Sequence, residues 1–139
     1  MTGTRFHHSF PIPFQDIDAA GVVFFAHLFR YAHESYEALM THIGFPLHGL
    51  LREQRHLLPL VHAEADYRRP LQLGDTVHIQ VSVEALGESS FTLRYHIEDE
   101  QQQEHASVQT VHVAVDAASR QPITLPDDLR EALQDYTAA

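Results

Sequence analysis

Two carboxylates that lie two residues apart, Asp16 and Asp18, mark the segment of this sequence best suited to chemistry. They follow a predicted strand and precede a predicted helix. A helix N-terminus carries unpaired N–H groups and a partial positive charge, which suit the oxyanion that develops on an attacked carbonyl. A carboxylate directly before it can act as a nucleophile or as a general base toward water. Asp18 is therefore a candidate for hydrolysis of an activated acyl group, and the alternative is that it only caps the helix.

The flanking sequence predicts the elements that position this acid. Apolar and polar residues alternate across residues 5–15, which is the pattern of a half-buried strand, and the prolines of this stretch place it at a sheet edge. Apolar residues at helical spacing predict one long amphipathic helix from about Val23 to Ile43. Gly44 and Pro46 end that helix.

After a looser segment, most of the remaining chain predicts strands. Apolar residues alternate with polar ones around residues 77–83, 91–97 and 111–115. Short turn signals separate these runs, as expected for antiparallel hairpins. A last short helix is predicted from Asp127 to Tyr136.

Helix and strands that are segregated along the chain indicate the α+β class. A curved antiparallel sheet of about five strands wrapped around one long central helix, the hotdog fold, is the simplest packing of these elements. Residues 1–139 are expected to form a single domain. The edge strands of such a sheet favour pairing into dimers.

Composition indicates the class of protein and its location in the cell. With 44% hydrophobic and 20% charged residues, the chain matches an ordinary globular protein. It has no apolar run near the roughly 20 residues needed to span a bilayer, and no basic segment followed by a long apolar stretch at its N-terminus. We therefore expect a cytoplasmic protein that does not act at a membrane.

Charge and residue types exclude several kinds of site. The net charge of -10 opposes non-specific nucleic-acid binding, and the absence of cysteine excludes disulfides, thiolate metal sites and a cysteine nucleophile. The 12 histidines include no His-x-x-x-His pair, so no metal site is expected. An anionic ligand would need a local basic patch, and Arg68-Arg69 is the only adjacent basic pair. The alternative is a solvated pair at a strand end.

The stretch Asp16-Ile17-Asp18-Ala19-Ala20-Gly21-Val22-Val23-Phe24-Phe25 resembles the Asp-x-Asp-x-x-Gly-(Val/Ile)-Val motif of the 4-hydroxybenzoyl-CoA thioesterase family. Further landmarks are similar to the 1,4-dihydroxy-2-naphthoyl-CoA thioesterases of that family. They are His33-Glu34-Ser35-Tyr36-Glu37, Leu60-Val61-His62-Ala63, Asp66-Tyr67 and Pro70…Gly74-Asp75. The resemblance covers about residues 6–115, and linked landmarks in the right order are more specific than one short motif.

This resemblance implies a hotdog enzyme, commonly a tetramer of dimers, with its active sites at the dimer interface. The second acid of the motif is catalytic in that family, which points to Asp18. The backbone N–H near Phe25 would polarise the thioester carbonyl, and Gly21 would let the chain approach closely before the helix. Relatives also carry an acid at Glu34, which implies a place near the site. The alternative is an exposed helix acid that pairs with Arg30 or with nothing.

The sequence departs from some relatives at Phe25, where 4-hydroxybenzoyl-CoA enzymes carry Tyr and Tol-Pal-associated thioesterases carry His. Only the backbone contribution transfers, and the naphthoyl-CoA type is the most similar. We expect Val23, Phe25 and His62 to form an apolar pocket with one polar end, where His62 binds a hydroxyl of the acyl group. A structural role for His62 is the alternative. Arg68 and Arg69 are expected to bind the phosphates of CoA.

We therefore expect a cofactor-independent thioesterase for an aromatic acyl-CoA, most of all 1,4-dihydroxy-2-naphthoyl-CoA in menaquinone or phylloquinone biosynthesis. A homodimer assembling to a homotetramer is expected. Short-chain or other aryl acyl-CoA substrates and an acyl carrier protein donor are alternatives within the same class. A non-catalytic acyl-binding module is the competing class. Dehydratases of the same fold rely on a catalytic His before the helix, which residues 19–22 do not supply.

Overall fold

The structure, a computed structural model, describes residues 4–137 of the chain. Its strands are β1 (Phe6–Pro11), β2 (His56–Leu57), β3 (Leu60–Tyr67), β4 (Thr76–Leu86), β5 (Ser90–Glu98), β6 (Glu104–Val113) and β7 (Val115–Asp116). Its α-helices are α1 (His27–His42), α2 (Leu47–Glu53) and α3 (Asp127–Gln134), and a 3-10 turn covers Phe14–Asp16.

A five-stranded antiparallel sheet in the order β1-β4-β5-β6-β3 forms the body of the protein. Alternate residues of β4 and β5 are buried because one face of these central strands meets the helices. Helix α1 covers that face with buried side chains that include Tyr31, Tyr36 and Leu39. The expected α+β class and the sheet of about five strands are confirmed.

Strand β3 differs from the central strands because it lies at the end of the sheet order. It pairs with β6 on one side, and its other edge is unpaired within residues 4–137. Seven of its eight residues are exposed, including the large apolar side chains of Leu60, Val61 and Tyr67. This end of the sheet is open for a further strand.

Helix α1 begins later than the sequence predicts, at His27 and not near Val23. Val23 is held in an extended segment because its N–H donates to the carbonyl of Leu71 at 2.8 Å. The predicted end of the helix is correct, and Gly44 follows it with a φ of +95°. No helix among residues 4–137 combines the length and apolar character needed to cross a membrane.

Two other segments also differ from the prediction. The strand expected over residues 5–15 is limited to Phe6–Pro11, because the chain then turns into the 3-10 segment Phe14–Asp16. The looser segment after α1 contains helix α2 and the short strand β2, which pairs with β7. The last helix spans Asp127–Gln134, close to its predicted bounds.

Candidate active site

The loop between the 3-10 turn and α1 is fixed by backbone hydrogen bonds at several points. The N–H of Asp18 donates to the carbonyl of Val22 at 2.8 Å, and the N–H of Phe24 donates to that of Asp16 at 3.0 Å. Gly21 closes a turn by donating to the carbonyl of Asp18 at 3.0 Å. Its φ of +84° is a conformation that glycine adopts without steric cost. The expected role of Gly21 in loop geometry has this physical basis.

Asp16 is the buried anchor of this loop, with a relative exposure of 3%. The hydroxyl of Tyr31 donates to its carboxylate at 2.6 Å, and the guanidinium of Arg30 donates to the same oxygen. Burial alone would raise the pKa of Asp16, but the hydrogen bonds from Tyr31 and Arg30 and the Arg30 charge lower that pKa below its usual range. Asp16 is therefore an ionised group that ties the loop to α1.

Asp18 has a different environment two residues later. Its Oδ1 accepts the N–H of Ala20 at 2.9 Å and that of Val22 at 3.4 Å, so it stabilises its own turn. The N-cap of α1 is Ala26, which makes no side-chain capping bond, and the alternative that Asp18 caps the helix is wrong. The other carboxylate oxygen, Oδ2, accepts no hydrogen bond from the described residues. One oxygen of Asp18 is thus left for a ligand.

Asp18 lines a cavity of about 380 Å³, called here the Asp18 cavity. Its walls come from the loop, from the start of α1 and from the segment that follows β3. The lining residues are Asp18, Val22, Val23, Phe25, Leu28, Tyr67, Arg68, Arg69, Pro70 and Leu71. Five of the residues predicted for the site, namely Asp18, Val23, Phe25, Arg68 and Arg69, are brought together here.

The start of α1 differs from the expected oxyanion site. The N–H groups of His27, Leu28 and Phe29 donate to the carbonyls three residues earlier at 2.9, 3.2 and 3.3 Å, so the first turn of the helix has no free donor there. The N–H groups of Phe25 and Ala26 donate to no protein group among residues 4–137. The expected donor at Phe25 therefore remains open, but it precedes the helix and does not belong to it.

Tyr67 contacts the same residue, Phe25, across the cavity and was not predicted as a site residue. Its hydroxyl donates to the carbonyl of Phe25 at 3.2 Å, and the two rings meet edge to face at 5.9 Å. Burial raises the pKa of the Tyr67 hydroxyl, which keeps it in the protonated form that can donate. Its place in the Asp66-Tyr67 landmark, directly before Arg68-Arg69, is the sequence signal that could have identified it.

The two arginines at the rim of the cavity differ in their partners. Arg68 donates from Nε to Oε2 of Glu104 at 2.7 Å. The side chain of Arg69 has no hydrogen bond or ion pair to the part of the chain that the structure describes. Arg69 also lines a second, polar cavity of about 450 Å³ beside the β5–β6 turn. Arg69 is thus the cation that is available to an anionic ligand.

Glu34 and His62 lie outside the Asp18 cavity of the single chain. Glu34 lies 2.9 Å from Nε2 of His8 on the exposed side of α1. The alternative pairing of Glu34 with Arg30 is wrong, because Arg30 binds Asp16 instead. His62 is exposed on β3, where its Nε2 lies 3.5 Å from a carboxylate oxygen of Glu64.

A third cavity, of about 310 Å³, is mainly apolar and is called here the apolar cavity. It lies where α1, α2 and the chain before β3 meet. The lining residues are His33, Tyr36, Leu47, Leu50, Leu51, Leu57, Leu58, Pro59 and Arg120. Among residues 4–137, no group of three or more His, Asp or Glu side chains is arranged to hold a metal ion.

Comparisons of this chain with a family model and with known proteins agree on one family. Residues 12–133 match the model of the thioesterase-like superfamily. A 1,4-dihydroxy-2-naphthoyl-CoA hydrolase from Synechococcus elongatus is 40% identical over 124 residues, which cover 88% of this chain and 90% of that protein. A hydrolase of the same name from Trichodesmium erythraeum is 30% identical over 133 residues, which cover 94% of this chain and 96% of that protein.

Solved structures agree with this result. A 1,4-dihydroxy-2-naphthoyl-CoA thioesterase from Synechocystis has a TM-score of 0.89 at 28% identity, covering 95% of this chain and 97% of that one. A gentisyl-coenzyme A thioesterase has a TM-score of 0.81 at 29% identity, covering 93% and 99%. The expected hotdog fold and the expected family are confirmed by these likenesses. The chain belongs to the thioesterase-like superfamily.

Proposed function

We propose that this protein is an acyl-CoA thioesterase that hydrolyses an aromatic acyl-CoA, most of all 1,4-dihydroxy-2-naphthoyl-CoA, to the free acid and CoA. The observation that carries the proposal is one cavity lined by Asp18, Phe25 and Arg69. Within the described residues, the backbone N–H of Phe25 is open and the side chain of Arg69 is unpaired. The names of the relatives from Synechococcus elongatus and Synechocystis support the choice of acyl group.

The chemistry follows from the two open groups of the cavity. The thioester carbonyl accepts a hydrogen bond from the N–H of Phe25, which stabilises the negative charge that forms on its oxygen. Oδ2 of Asp18 either attacks the carbonyl carbon or removes a proton from an attacking water. The C–S bond then breaks, and the CoA thiolate leaves and takes up a proton. If Asp18 is the nucleophile, water then hydrolyses the acyl anhydride on Asp18, which releases the free acid and restores the carboxylate; if Asp18 is the base, the attacking water already supplies the oxygen of the acid. The Tyr67 hydroxyl binds the carbonyl of Phe25, the residue whose N–H is open.

Binding of CoA needs a local positive charge, because the whole protein has a net charge of -10. Arg69 supplies that charge, since Arg68 is already paired with Glu104. The pantetheine arm lies in the Asp18 cavity, and a phosphate group of the nucleotide binds Arg69 at its rim.

The exposed edge of β3 supports a homodimer in which this strand pairs with β3 of a second copy. If the pairing is antiparallel around a two-fold axis, the Tyr67 end of one strand lies beside the Leu60 end of the other. The Asp18 cavity of one copy then lies near the apolar cavity of the second copy, and His62 lies between them. An aromatic acyl group would extend from the first cavity into the second.

The same proposal includes the domain organisation, the cellular location, the assembly and the pathway of the protein. Residues 1–139 form a single cytoplasmic domain, and two dimers assemble into a tetramer. Quinone biosynthesis supplies the substrate. The conversion of a 1,4-dihydroxy-2-naphthoyl thioester by the named relatives supports this setting.

A panel of acyl-CoA substrates tests the function directly. Release of CoA is followed with a thiol-detecting dye, and the protein contributes no background because it has no cysteine. We expect a higher kcat/KM for 1,4-dihydroxy-2-naphthoyl-CoA than for benzoyl-CoA, butyryl-CoA or hexanoyl-CoA. If a linear acyl-CoA is the best substrate, the aromatic acyl group is refuted but the thioesterase function is not. No thiol release from any member would refute the thioesterase and favour an acyl-binding module.

Sedimentation analysis tests the proposed dimer with a matched pair of variants. Val61 is 58% exposed on β3, and Leu73 is 51% exposed outside the strands of the sheet. Val61→Lys should convert dimers to monomers, because a charge would be buried in the new interface. Leu73→Lys should leave the dimer intact. Dimers of unchanged stability in Val61→Lys would mean that the chains pair elsewhere.

A second aryl-CoA substrate is favoured by one specific observation. The gentisyl-coenzyme A thioesterase covers nearly the whole chain at 29% identity, and its acyl group is a hydroxylated single ring. Gentisyl-CoA therefore belongs in the panel. If it exceeds the naphthoyl substrate in kcat/KM, the acyl group is monocyclic and the remaining proposal is unchanged.

A further inference from the structure

Three exposed residues, Arg68, Arg69 and Pro70, link the end of β3 to the buried Leu71. Within the described chain, the backbone hydrogen bonds of these three residues all go to His105. The carbonyl of His105 accepts the N–H of Arg68 at 2.9 Å and that of Arg69 at 3.1 Å, and Nδ1 of its ring lies 3.1 Å from the carbonyl oxygen of Pro70. One residue of β6 therefore holds the whole segment that carries Arg69.

His105 is itself held in place from the β5–β6 turn. It is buried, with a relative exposure of 8%, and its Nε2 lies 3.0 Å from Oδ2 of Asp99. The other oxygen of Asp99 accepts the N–H groups of Gln101 and Gln103 at 2.9 and 3.0 Å. The hydrogen bond from His105, followed by those from the turn, lowers the pKa of Asp99. An ionised Asp99 thus connects the turn to the ring of His105.

Both partners of the His105 ring are oxygens that accept hydrogen bonds, the carbonyl of Pro70 and the carboxylate of Asp99. Because each ring nitrogen has its own oxygen partner, the two contacts fix the ring in one orientation. The thioesterase chemistry proposed above assigns no role to this buried pair.

We propose that His105, held by Asp99, is a positioning residue that sets the place of Arg69 for a phosphate group of CoA. This inference rests on the proposed thioesterase function. The effect should be confined to CoA binding, because Asp16 fastens the Asp18 loop to Arg30 and Tyr31 of α1, away from His105. Leu71, which accepts the N–H of Val23, is itself buried at 3% exposure.

The geometry predicts a specific kinetic pattern. Loss of the His105 ring contacts frees the carbonyl of Pro70 and lets the neighbouring side chain of Arg69 shift, although the His105 carbonyl still accepts the N–H groups of Arg68 and Arg69. Asp18 and the N–H of Phe25 keep their places. A phosphate contact stabilises the bound substrate and the transition state alike, so its loss raises KM more than it lowers kcat. The kinetic constants for a substrate that lacks the nucleotide should therefore stay unchanged.

The test measures His105→Gln and Asp99→Asn against two thioesters of the same aromatic acid, one of CoA and one of N-acetylcysteamine. We expect KM for the CoA thioester to rise about fivefold to tenfold in each variant, with kcat within about twofold. The kcat/KM for the N-acetylcysteamine thioester should stay unchanged. His78→Gln, on β4 and outside the site, should match the wild type with both substrates.

A double-mutant cycle shows whether His105 acts through Arg69. Arg69→Ala should raise KM for the CoA thioester, and adding His105→Gln to it should raise KM no further. Additive effects, equal losses on both thioesters, or a normal KM in His105→Gln and Asp99→Asn would each overturn the inference. If His105→Gln does not fold, Asp99→Asn alone still tests the inference. An inactive wild type would instead refute the thioesterase function.

Discussion

Asp16 and Asp18 belong to one short loop, but the two ends of this loop have opposite environments. Asp16 is almost fully buried and binds the side chains of Arg30 and Tyr31 on α1. Asp18 is partly exposed, binds only backbone N–H groups among residues 4–137 and lines a cavity. The first end attaches the loop to the core, and the second end presents a carboxylate to a ligand.

Hydrogen-bonding partners, and not residue type, separate the two acids. Asp16 receives donors from charged and polar side chains, which fix its ionised form and its orientation. Asp18 retains one oxygen without a donor. A catalytic carboxylate needs a free oxygen on a rigid support, and Asp16 with its partners supplies that support.

Asp18→Asn tests the reactive end of the loop and has the largest expected effect. Asn keeps an oxygen that can accept from Ala20 and Val22, but it cannot act as nucleophile or base. We expect kcat/KM to fall at least about a hundredfold, in line with loss of a catalytic acid or base. Thermal unfolding should be nearly unchanged. Near-native turnover in a normally folded variant would show that Asp18 is not the catalytic carboxylate.

Asp16→Asn tests the structural end of the same loop. It removes the charge that pairs with Arg30 inside a buried site, and we expect the free energy of unfolding to fall by about 2 kcal/mol. Denaturant unfolding measures the loss, and the activity per folded molecule should fall much less than in Asp18→Asn. The opposite result, full stability with lost turnover, would exchange the roles of the two acids.

The pH dependence of stability distinguishes the two acids again. The folded pKa of Asp16 is lowered by its bonds to Tyr31 and Arg30, against the opposing effect of burial. Its contribution is therefore fully present above the unfolded Asp pKa of about 4 and is lost as the pH falls through the lower folded value. The stability gap between wild type and Asp16→Asn should narrow below about pH 4. A constant gap across this range would contradict the lowered pKa.

Arg68 and Arg69 extend the comparison to two adjacent cations. Arg68 already binds Glu104, whereas Arg69 has no partner within residues 4–137. Arg69→Ala should raise KM for acyl-CoA about tenfold with little change in kcat, and Arg68→Ala should raise it less. KM should also increase with salt in the wild type. Equal effects of the two variants would show that the pairing of Arg68 does not limit its contact with CoA.

Sequence patterns identified some of these features and missed others for clear reasons. The alternation in β4 and β5 and the stop at Gly44 are local signals, and the structure agrees with them. The start of α1 was misplaced because Val23 bonds to Leu71, which is far away in the chain. The contact of Arg30 with Asp16 and the hold of His105 on Pro70 also depend on folding, so spacing alone could not reveal them.

His62→Ala tests whether residues outside the Asp18 cavity of one chain also contact the substrate. It has the smallest expected effect. The imidazole of His62 is more than half exposed and lies outside the Asp18 cavity of its own chain. In the proposed dimer it lies between the two cavities, where it can bind a hydroxyl of the acyl group. Loss of that contact should lower kcat/KM for 1,4-dihydroxy-2-naphthoyl-CoA about fivefold and leave benzoyl-CoA unchanged. His78→Ala is the control, and an equal change on both substrates would remove His62 from acyl recognition.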